Sequence, residues 1–516
     1  MENIENEETL DQMQPPKKNK KNPTRYGRPV KYDTPLCTNT MSFEECELAI
    51  LRNAVDESDK LKGKEMVDTE DIKKIISILE SFLIKHKLIC YGGTAINNIL
   101  PKYAQFYDRK IELPDYDFYS TTPLEHAKEL ADIYYKAGFE EVEAKAGVHY
   151  GTFKVFVNFI GIADITLIHP SIYEGLNSEA ITIAGIRYAP ANYLRMNMYL
   201  ELSRPAGDVS RWEKIMKRLT LLNEYYPFQS RYNCDIIEIQ RKMETDTDTE
   251  KQERIYYIIR DLFIDFDVVF FGGYANSLYQ RYMTKEQKRF SDKIPDFDVL
   301  YEEPDKLAQI LIERLQENGF KNITSKTHDA ISDIIPYHIE ICIGKEILAF
   351  IYKPIACHNY NTITIGKQRV NIATIDTILS FYLAFYYSDE PYYYKDRILC
   401  MAEFLFQIIE KNRLNQRGIL KRFSLQCYGK QPTLPTIREE KMRKYEELRG
   451  KRGTKDYDMW FLKYSPKSIY GNVIKNSVSV EKSSKKNNMI MKRKKRTMKT
   501  QRRTTRTGNI LFPYGF

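Results

Sequence analysis

Tyr91-Gly92-Gly93-Thr94, followed by Pro114-Asp115-Tyr116-Asp117 with 22 residues from Gly93 to Asp115, is the stretch that decides the fold. A glycine pair between the apolar run Leu88–Tyr91 and the segment Thr94–Leu100 reads as a strand turning sharply into a helix. Such a helix start presents unpaired N–H groups and a positive dipole end to a phosphate, and glycine lets the backbone approach it closely. Asp115 and Asp117 stand at i and i+2 of the next strand, so both carboxylates leave one face while Tyr116 and Phe118 point to the core. A third acid, Asp164, lies inside the apolar strand Ile162-Ala163-Asp164-Ile165-Thr166, where it costs stability unless paired or metal-bound.

The signature is duplicated. Phe271-Gly272-Gly273-Tyr274 precedes Pro295-Asp296-Phe297-Asp298, with 23 residues from Gly273 to Asp296. In both copies a helix opens on proline after the acid strand, at Thr122-Pro123-Leu124-Glu125 with Thr122 as N-cap and at Glu303-Pro304, and closes at Gly138 or Gly319. Aligning Pro354 with Pro170 places Leu348 where the first copy has Asp164, and Tyr274 replaces Thr94. The second copy is therefore expected to be catalytically dead, with Asp296 and Asp298 as relics. The fold class expected is α+β (α/β): two tandem lobes, the second degenerate, with helical additions and a disordered basic tail. The boundaries read as a flexible arm at 1–41, a catalytic lobe at 42–240, a degenerate lobe at 254–427 and a C-terminal extension at 428–516. Ser42 and Glu45 form a capping box for a first helix, a second runs over 70–86, and the polar, acidic stretch 243–253 reads as a linker.

At 516 residues the chain exceeds one ordinary core, which agrees with two units plus tails. No run of eighteen apolar residues exists; the most apolar stretch, Leu262–Tyr279, is broken by Asp265 and Asp267, so no membrane span is expected. The N-terminus begins with acids and has no apolar core of a secretory signal. Eight scattered cysteines without a Cys-x-x-Cys predict neither a disulfide framework nor a zinc site, and suggest a reducing intracellular setting. Twelve Lys and Arg lie between Lys482 and Arg506 without an acid; subtracting them from the net charge of +9 leaves −3, so the basicity resides in the tail.

Joining a nucleoside monophosphate to a hydroxyl places a triphosphate beside an incoming oxygen, and two divalent ions stabilise the attacking and leaving oxygens. Such hard cations take oxygen ligands. Asp115, Asp117 and Asp164 are the candidate catalytic residues and metal ligands for two Mg²⁺ or Mn²⁺ ions, and Gly92, Gly93 and Thr94 the candidate phosphate grip. An isolated Asp-x-Asp is a weak signal, commonly a solvated strand end; joined to the glycine turn, the lone Asp164 and the internal duplicate it becomes specific. Asp208 can cap a helix carrying Arg211, Lys214, Lys217 and Arg218. Its ordinary reading is a solvated face; its functional reading assigns Lys214 and Lys217 to the triphosphate, and Arg211 and Arg218 to an RNA backbone. The run Lys492-Arg493-Lys494-Lys495-Arg496 reads as a polynucleotide tether, a nuclear localisation signal or a solubility tail.

The glycine turn, the Asp-x-Asp strand and the third Asp resemble the DNA polymerase β-like nucleotidyltransferase superfamily. Within it, Tyr91-Gly92-Gly93-Thr94-Ala95, the long spacing to Pro114-Asp115-Tyr116-Asp117 and the degenerate second lobe resemble the poly(A) polymerase catalytic subunits of poxviruses and giant DNA viruses, over about residues 70–400. The resemblance implies two nucleotidyltransferase-like lobes and template-independent addition of AMP from ATP to mRNA 3′ ends, with Asp115, Asp117 and Asp164 holding the metals. Cellular members place the Asp doublet closer to the turn, so the insertion Pro101–Leu113 is expected to loop out. The resemblance further implies RNA 3′ ends and ATP as partners and either a separate processivity or capping-type subunit or a homodimer, with the chain's size and tail favouring the homodimer. For a viral chain it implies host cytoplasm and virion. The alternatives are a terminal uridylyltransferase or oligonucleotide synthetase, and a non-catalytic RNA-binding scaffold.

Overall fold

Capping chemistry sets the first helices. In the computed structural model, Ser42 caps α1 (Phe43–Val67): the Ser42 N–H donates to Glu45 Oε2 at 2.7 Å and the Glu45 N–H donates to Ser42 Oγ at 3.2 Å. The structure describes residues 34–38, 41–234, 249–282 and 295–469, with the short strand pair 24–25 and 28–29. Most of the arm at 1–41, linker residues 243–248, and the basic tail with Lys492, Arg493, Lys494, Lys495 and Arg496 lie outside the described residues. Helix α2 (Glu70–His86) buries Ile72, Ile75, Leu79, Phe82 and Leu83 on one face and ends at Lys87 in the left-handed region.

The first lobe continues as β1 (Ile89–Tyr91), α3 (Gly92–Ile99), β2 (Tyr116–Ser120), α4 (Pro123–Lys136), β3 (Val142–Ala146), β4 (Thr152–Val157) and β5 (Ile160–Leu167). Then come α5 (Pro170–Glu179), β6 (Ile181–Ile183), β7 (Ile186–Tyr188), α6 (Ala191–Leu202) and α7 (Trp212–Tyr225). Thr122 does stand before α4, but its side chain makes no cap bond; its N–H donates instead to Ser120 Oγ at 2.9 Å.

The second lobe repeats this order with α8 (Thr249–Asp265), β8 (Val269–Phe271), α9 (Gly272–Leu278), β9 (Phe297–Leu300), α10 (Pro304–Glu317), β10 (Ile323–His328), β11 (His338–Ile343), β12 (Glu346–Tyr352), β13 (His358–Ile365) and β14 (Gln368–Ala373). Residues 249–253, read from sequence as linker, are the first turns of α8. The first sheet runs β3-β4-β5-β2-β1-β7-β6 and the second β10-β11-β12-β9-β8-β14-β13, the same order strand for strand. The strand senses also match: β1 is antiparallel to β2 as β8 is to β9, and β2 is parallel to β5 as β9 is to β12. The duplication read from two short motifs is thus a duplication of whole sheets.

One expectation fails in detail. Asp117 is the register partner of Asp164, whereas its equivalent Asp298 is the partner of Phe350, so Phe350 and not Leu348 occupies the third acidic position. The Pro170–Pro354 anchor misleads because Pro170 opens α5, while Pro354 lies in a loop leading directly to β13. Either residue is apolar and buried, so the absence of the acid stands.

Two further helices, α11 (Ile375–Ser388) and α12 (Lys395–Lys411), follow; every residue of α11 is buried, and it packs against both α6 and α12, joining the lobes. The chain then adds β15 (Cys427–Tyr428) to the edge of the second sheet beside β13. Beyond α13 (Leu434–Leu448) and α14 (Lys455–Phe461), β16 (Lys463–Tyr464) pairs with β3 on the edge of the first sheet. Lys128 Nζ to Asp458 Oδ2 at 2.7 Å and Tyr464 Oη to Asp132 Oδ1 at 2.7 Å hold this returning segment.

The cysteine reading is overturned. Cys37–Cys46, Cys234–Cys400 and Cys357–Cys427 are disulfides, leaving Cys90 and Cys342 free. The partners of the two long pairs are 166 and 70 residues apart, a separation that leaves no local spacing signature. The ground for inferring a reducing setting goes with it. Among the described residues no helix is long and apolar enough to cross a membrane.

Candidate active site

The turn after β1 is shaped by a carboxylate. Gly92 has φ +74, and a Cβ there would sit 2.5 Å from Asp117 Oδ2, so both backbone conformation and space demand glycine. Tyr91 faces Asp117 across the antiparallel β1–β2 pair, and Asp117 faces Asp164 across the parallel β2–β5 pair. Asp115 lies immediately before β2. These three segments, remote in sequence, bring the carboxylates within mutual electrostatic influence. Burial, then the charges of Asp115 and Asp164, push the Asp117 carboxyl up to about 7. Burial, then Asp164, also raises Asp115.

Lys154 is the residue that sequence reading missed here. On β4 it stands opposite Asp164, and its ammonium pairs with Asp164 Oδ2. The buried-acid argument for Asp164 is therefore partly answered by an ion pair, yet Asp164 keeps 23% of its side chain exposed, so it stays reachable by a second cation. Cross-strand pairing, invisible before strand register is known, was the missing signal.

A cleft of about 500 Å³ opens over the turn, lined by Gly92, Gly93, Asp115, Asp117, by Arg211 just before α7 and by Lys214 and Arg218 on α7. Asp164 does not line this cleft; it stands beside Asp117 on the neighbouring strand β5. Asp208 accepts from the Ser210 N–H at 3.2 Å and starts the turn leading into α7, as its sequence position predicts. Lys217 does not join the others: it is 73% exposed and pairs with Glu213 at 2.7 Å, on the side of α7 away from the cleft. Arg211, assigned from sequence to an RNA backbone, lines the same cleft as the acids and reaches Glu201 at 3.3 Å. Burial raises Glu201, opposed by the neighbouring Arg211 charge.

The insertion Pro101–Leu113 forms a loop, with Tyr103 82% exposed, that is anchored at its middle to the turn. Asn97 Oδ1 accepts the N–H groups of Phe106 and Tyr107, both at 2.8 Å, and folds the segment back over the turn. Tyr107 thereby enters the cleft, bonds Arg218 through its hydroxyl, and with Phe106, whose ring centre is 5.0 Å from the guanidinium, fixes Arg218 beside Gly93. A Cβ on Gly93 would lie 2.9 Å from Arg218 Nη1. Thr94 behaves differently from the expectation: its buried hydroxyl donates to the Asp115 carbonyl at 2.5 Å, so its hydrogen is committed to the acid strand. That bond locks the phosphate turn to the carboxylates; any grip by Thr94 on a phosphate falls to its backbone.

In the second lobe Gly272, φ +66, is likewise pressed against Asp298. There Arg397 from α12 reaches Asp296 Oδ2 at 3.7 Å, with only 15% and 8% of the two side chains exposed. A guanidinium thus stands beside Asp296, and Phe350 fills the third position.

The first-lobe residues fit divalent cations on their own evidence. All three donors are carboxylates, which suits hard ions. Their crowding leaves excess negative charge, seen in the raised Asp117 carboxyl, that Lys154 alone does not remove.

Residues 77–208 match the family model "Poly(A) polymerase catalytic subunit", the family that the sequence resembles. A putative poly(A) polymerase catalytic subunit of African swine fever virus (isolate Tick/South Africa/Pretoriuskop Pr4/1996) is 27% identical over 247 residues, 47% of either chain. One from Acanthamoeba polyphaga mimivirus is 32% identical over 212 residues, 39% of this chain and 34% of the relative. The matched region thus spans less than half the length of these relatives. The crystal structure of the Megavirus polyadenylate synthase shares the fold with a TM-score of 0.69 at 19% identity, covering 90% of this chain and 92% of that one. Both lobes and the joining helices therefore share the fold of that structure.

Proposed function

We propose, from a first lobe whose residues 77–208 match the poly(A) polymerase catalytic-subunit model, that the chain is a template-independent polynucleotide adenylyltransferase adding AMP from ATP to RNA 3′ ends. The observation that supports this reading is Asp117 beside Asp164 as cross-strand partners, with Asp115 two residues before Asp117, next to a glycine turn where a Cβ would collide with Asp117.

Asp115 and Asp117 would hold both divalent ions and Asp164 the one nearer the attacking hydroxyl. When bound, Mg²⁺ or Mn²⁺ supplies charge stabilisation to the attacking and leaving oxygens. The chain's own residues do the rest. The N–H groups at the start of α3 would face the β and γ phosphates, and Arg218, pre-oriented by Tyr107, and Lys214 would balance the triphosphate charge from α7. Because Arg218 is already held in place, little side-chain freedom is lost on binding. Lys154 tethers Asp164 in position in the absence of metal. RNA approaches past Arg211. The basic tail adds salt-sensitive, sequence-independent affinity.

Incubating the full chain with a short RNA primer, Mg²⁺ or Mn²⁺ and each NTP separately tests the proposal. Extension with ATP above the other three supports it, extension with UTP instead points to a uridylyltransferase, and RNA binding without any incorporation makes it a scaffold.

A further inference from the structure

A second cluster of donors, of different chemistry, lies in the helical layer. His86 is the last residue of α2, while His126 and Glu129 stand at i and i+3 on α4, so both side chains leave one helix face. One donor atom from each lies within 4.8 Å of the others. His86 Nε2 is 3.0 Å from Glu129 Oε1, and the His86 and His126 rings meet edge to face with centroids 4.8 Å apart. Ser120 Oγ lies 2.7 Å from His126 Nδ1 while accepting the Thr122 N–H at 2.9 Å. An Nδ1–H donated to Ser120 leaves Nε2 with the lone pair a metal needs, the arrangement that orients metal-bound imidazoles. Lys85 Nζ shares Glu129 Oε1 at 2.9 Å, but its side chain is 65% exposed and can turn to water.

We propose that His86, His126 and Glu129 form a site for one transition-metal cation of the Zn²⁺ class, clasping α2 to α4 at the end of the acid-bearing strand β2. Two imidazoles and a carboxylate favour zinc or a similar first-row ion over Mg²⁺, and three protein ligands leave one position for water. The site is chemically distinct from the all-carboxylate cleft. The clustered histidines of the second lobe differ: His338 has Nδ1 on the Pro336 carbonyl at 2.9 Å and Nε2 on the Tyr392 hydroxyl at 3.1 Å, so both nitrogens are engaged. All seven histidines and all eight cysteines fall among the described residues, so the chain's remaining segments add no imidazole or thiol ligand.

The test is elemental analysis of the full-length protein after equilibration with Zn²⁺ in excess Mg²⁺ and dialysis. The expected result is about one zinc per chain in the parent and in Asp117→Asn, and none in His86→Gln/His126→Gln. If that double variant does not fold, Glu129→Gln alone should retain zinc roughly tenfold or more weakly. Replacing Zn²⁺ with Co²⁺ should give visible d–d absorption in the parent that the histidine variant lacks. No retained zinc in the parent, or retention in the histidine or Glu129 variant equal to the parent's, overturns the proposal, whatever the outcome of the primer assay.

Discussion

Asp117 and Asp164 stand side by side as register partners across a parallel strand pair, although 47 residues of chain separate them. The pair is crowded with negative charge: the Asp117 carboxyl is pushed up to about 7, first by burial and then by its acidic neighbours.

That shift has a sign that can be measured. An unfolded aspartate titrates near 3.9, so between about 4 and 7 the folded chain holds a proton that the unfolded chain has released. Stability contributed by this group is present at low pH, falls as pH rises through that window and levels off above it. Asp117→Asn removes the slope. Metal-free urea denaturation should show the variant more stable than the parent by roughly 1–3 kcal/mol at pH 8, with the gap closing towards pH 4. Saturating Mg²⁺ should shrink the gain by stabilising the ionised parent. The same gap at both pH values would contradict the charge crowding.

Gly92 should tolerate no side chain. Gly92→Ala meets both a positive φ and a collision 2.5 Å from Asp117 Oδ2, whereas Gly138→Ala, at φ +101, meets nothing within 4 Å. Backbone strain alone costs each variant about 1 kcal/mol or more. Only Gly92→Ala should also displace a catalytic carboxylate and lose extension activity by about 100-fold or more. Thermal melts and primer extension on both variants separate the two contributions.

Arg218 and Lys217 lie one residue apart on the same helix, yet should differ sharply. Arg218→Met removes a cation held beside Gly93 and should raise KM for ATP by roughly tenfold or more. Tyr107→Phe, which frees Arg218 without removing it, should raise KM by only a few-fold. Lys217→Met should change nothing, since that ammonium is 73% exposed and paired with Glu213. ATP saturation curves at fixed RNA concentration check all three.

The parts legible in the sequence were those written in local chemistry. The capping box at Ser42–Glu45, the apolar face over 70–86 and the strand-turn-helix at Tyr91–Thr94 each depend on residues a few positions apart. The duplicated glycine turns announced two sheets because each turn needs a positive φ pressed against an acid. Register was less legible: Pro170 and Pro354 look equivalent as letters, but one opens a helix and the other does not, which moved the missing acid from Leu348 to Phe350. Partners across strands and loops were not legible at all. Lys154 at Asp164, Tyr107 at Arg218 and Cys234 at Cys400 are set by three-dimensional contact that no spacing encodes. Lys217 was misplaced because a charge run on a helix does not reveal which member faces the cleft until the neighbouring elements are placed.

The most direct measurement of the central claim compares RNA primer extension with ATP by the parent, Asp117→Asn in the first lobe and Asp296→Asn/Asp298→Asn in the second, each confirmed folded. The account predicts that Asp117→Asn loses activity by about 1,000-fold or more, while the second-lobe variant stays within about threefold of the parent. Full activity in Asp117→Asn, or loss confined to the second-lobe variant, would contradict it.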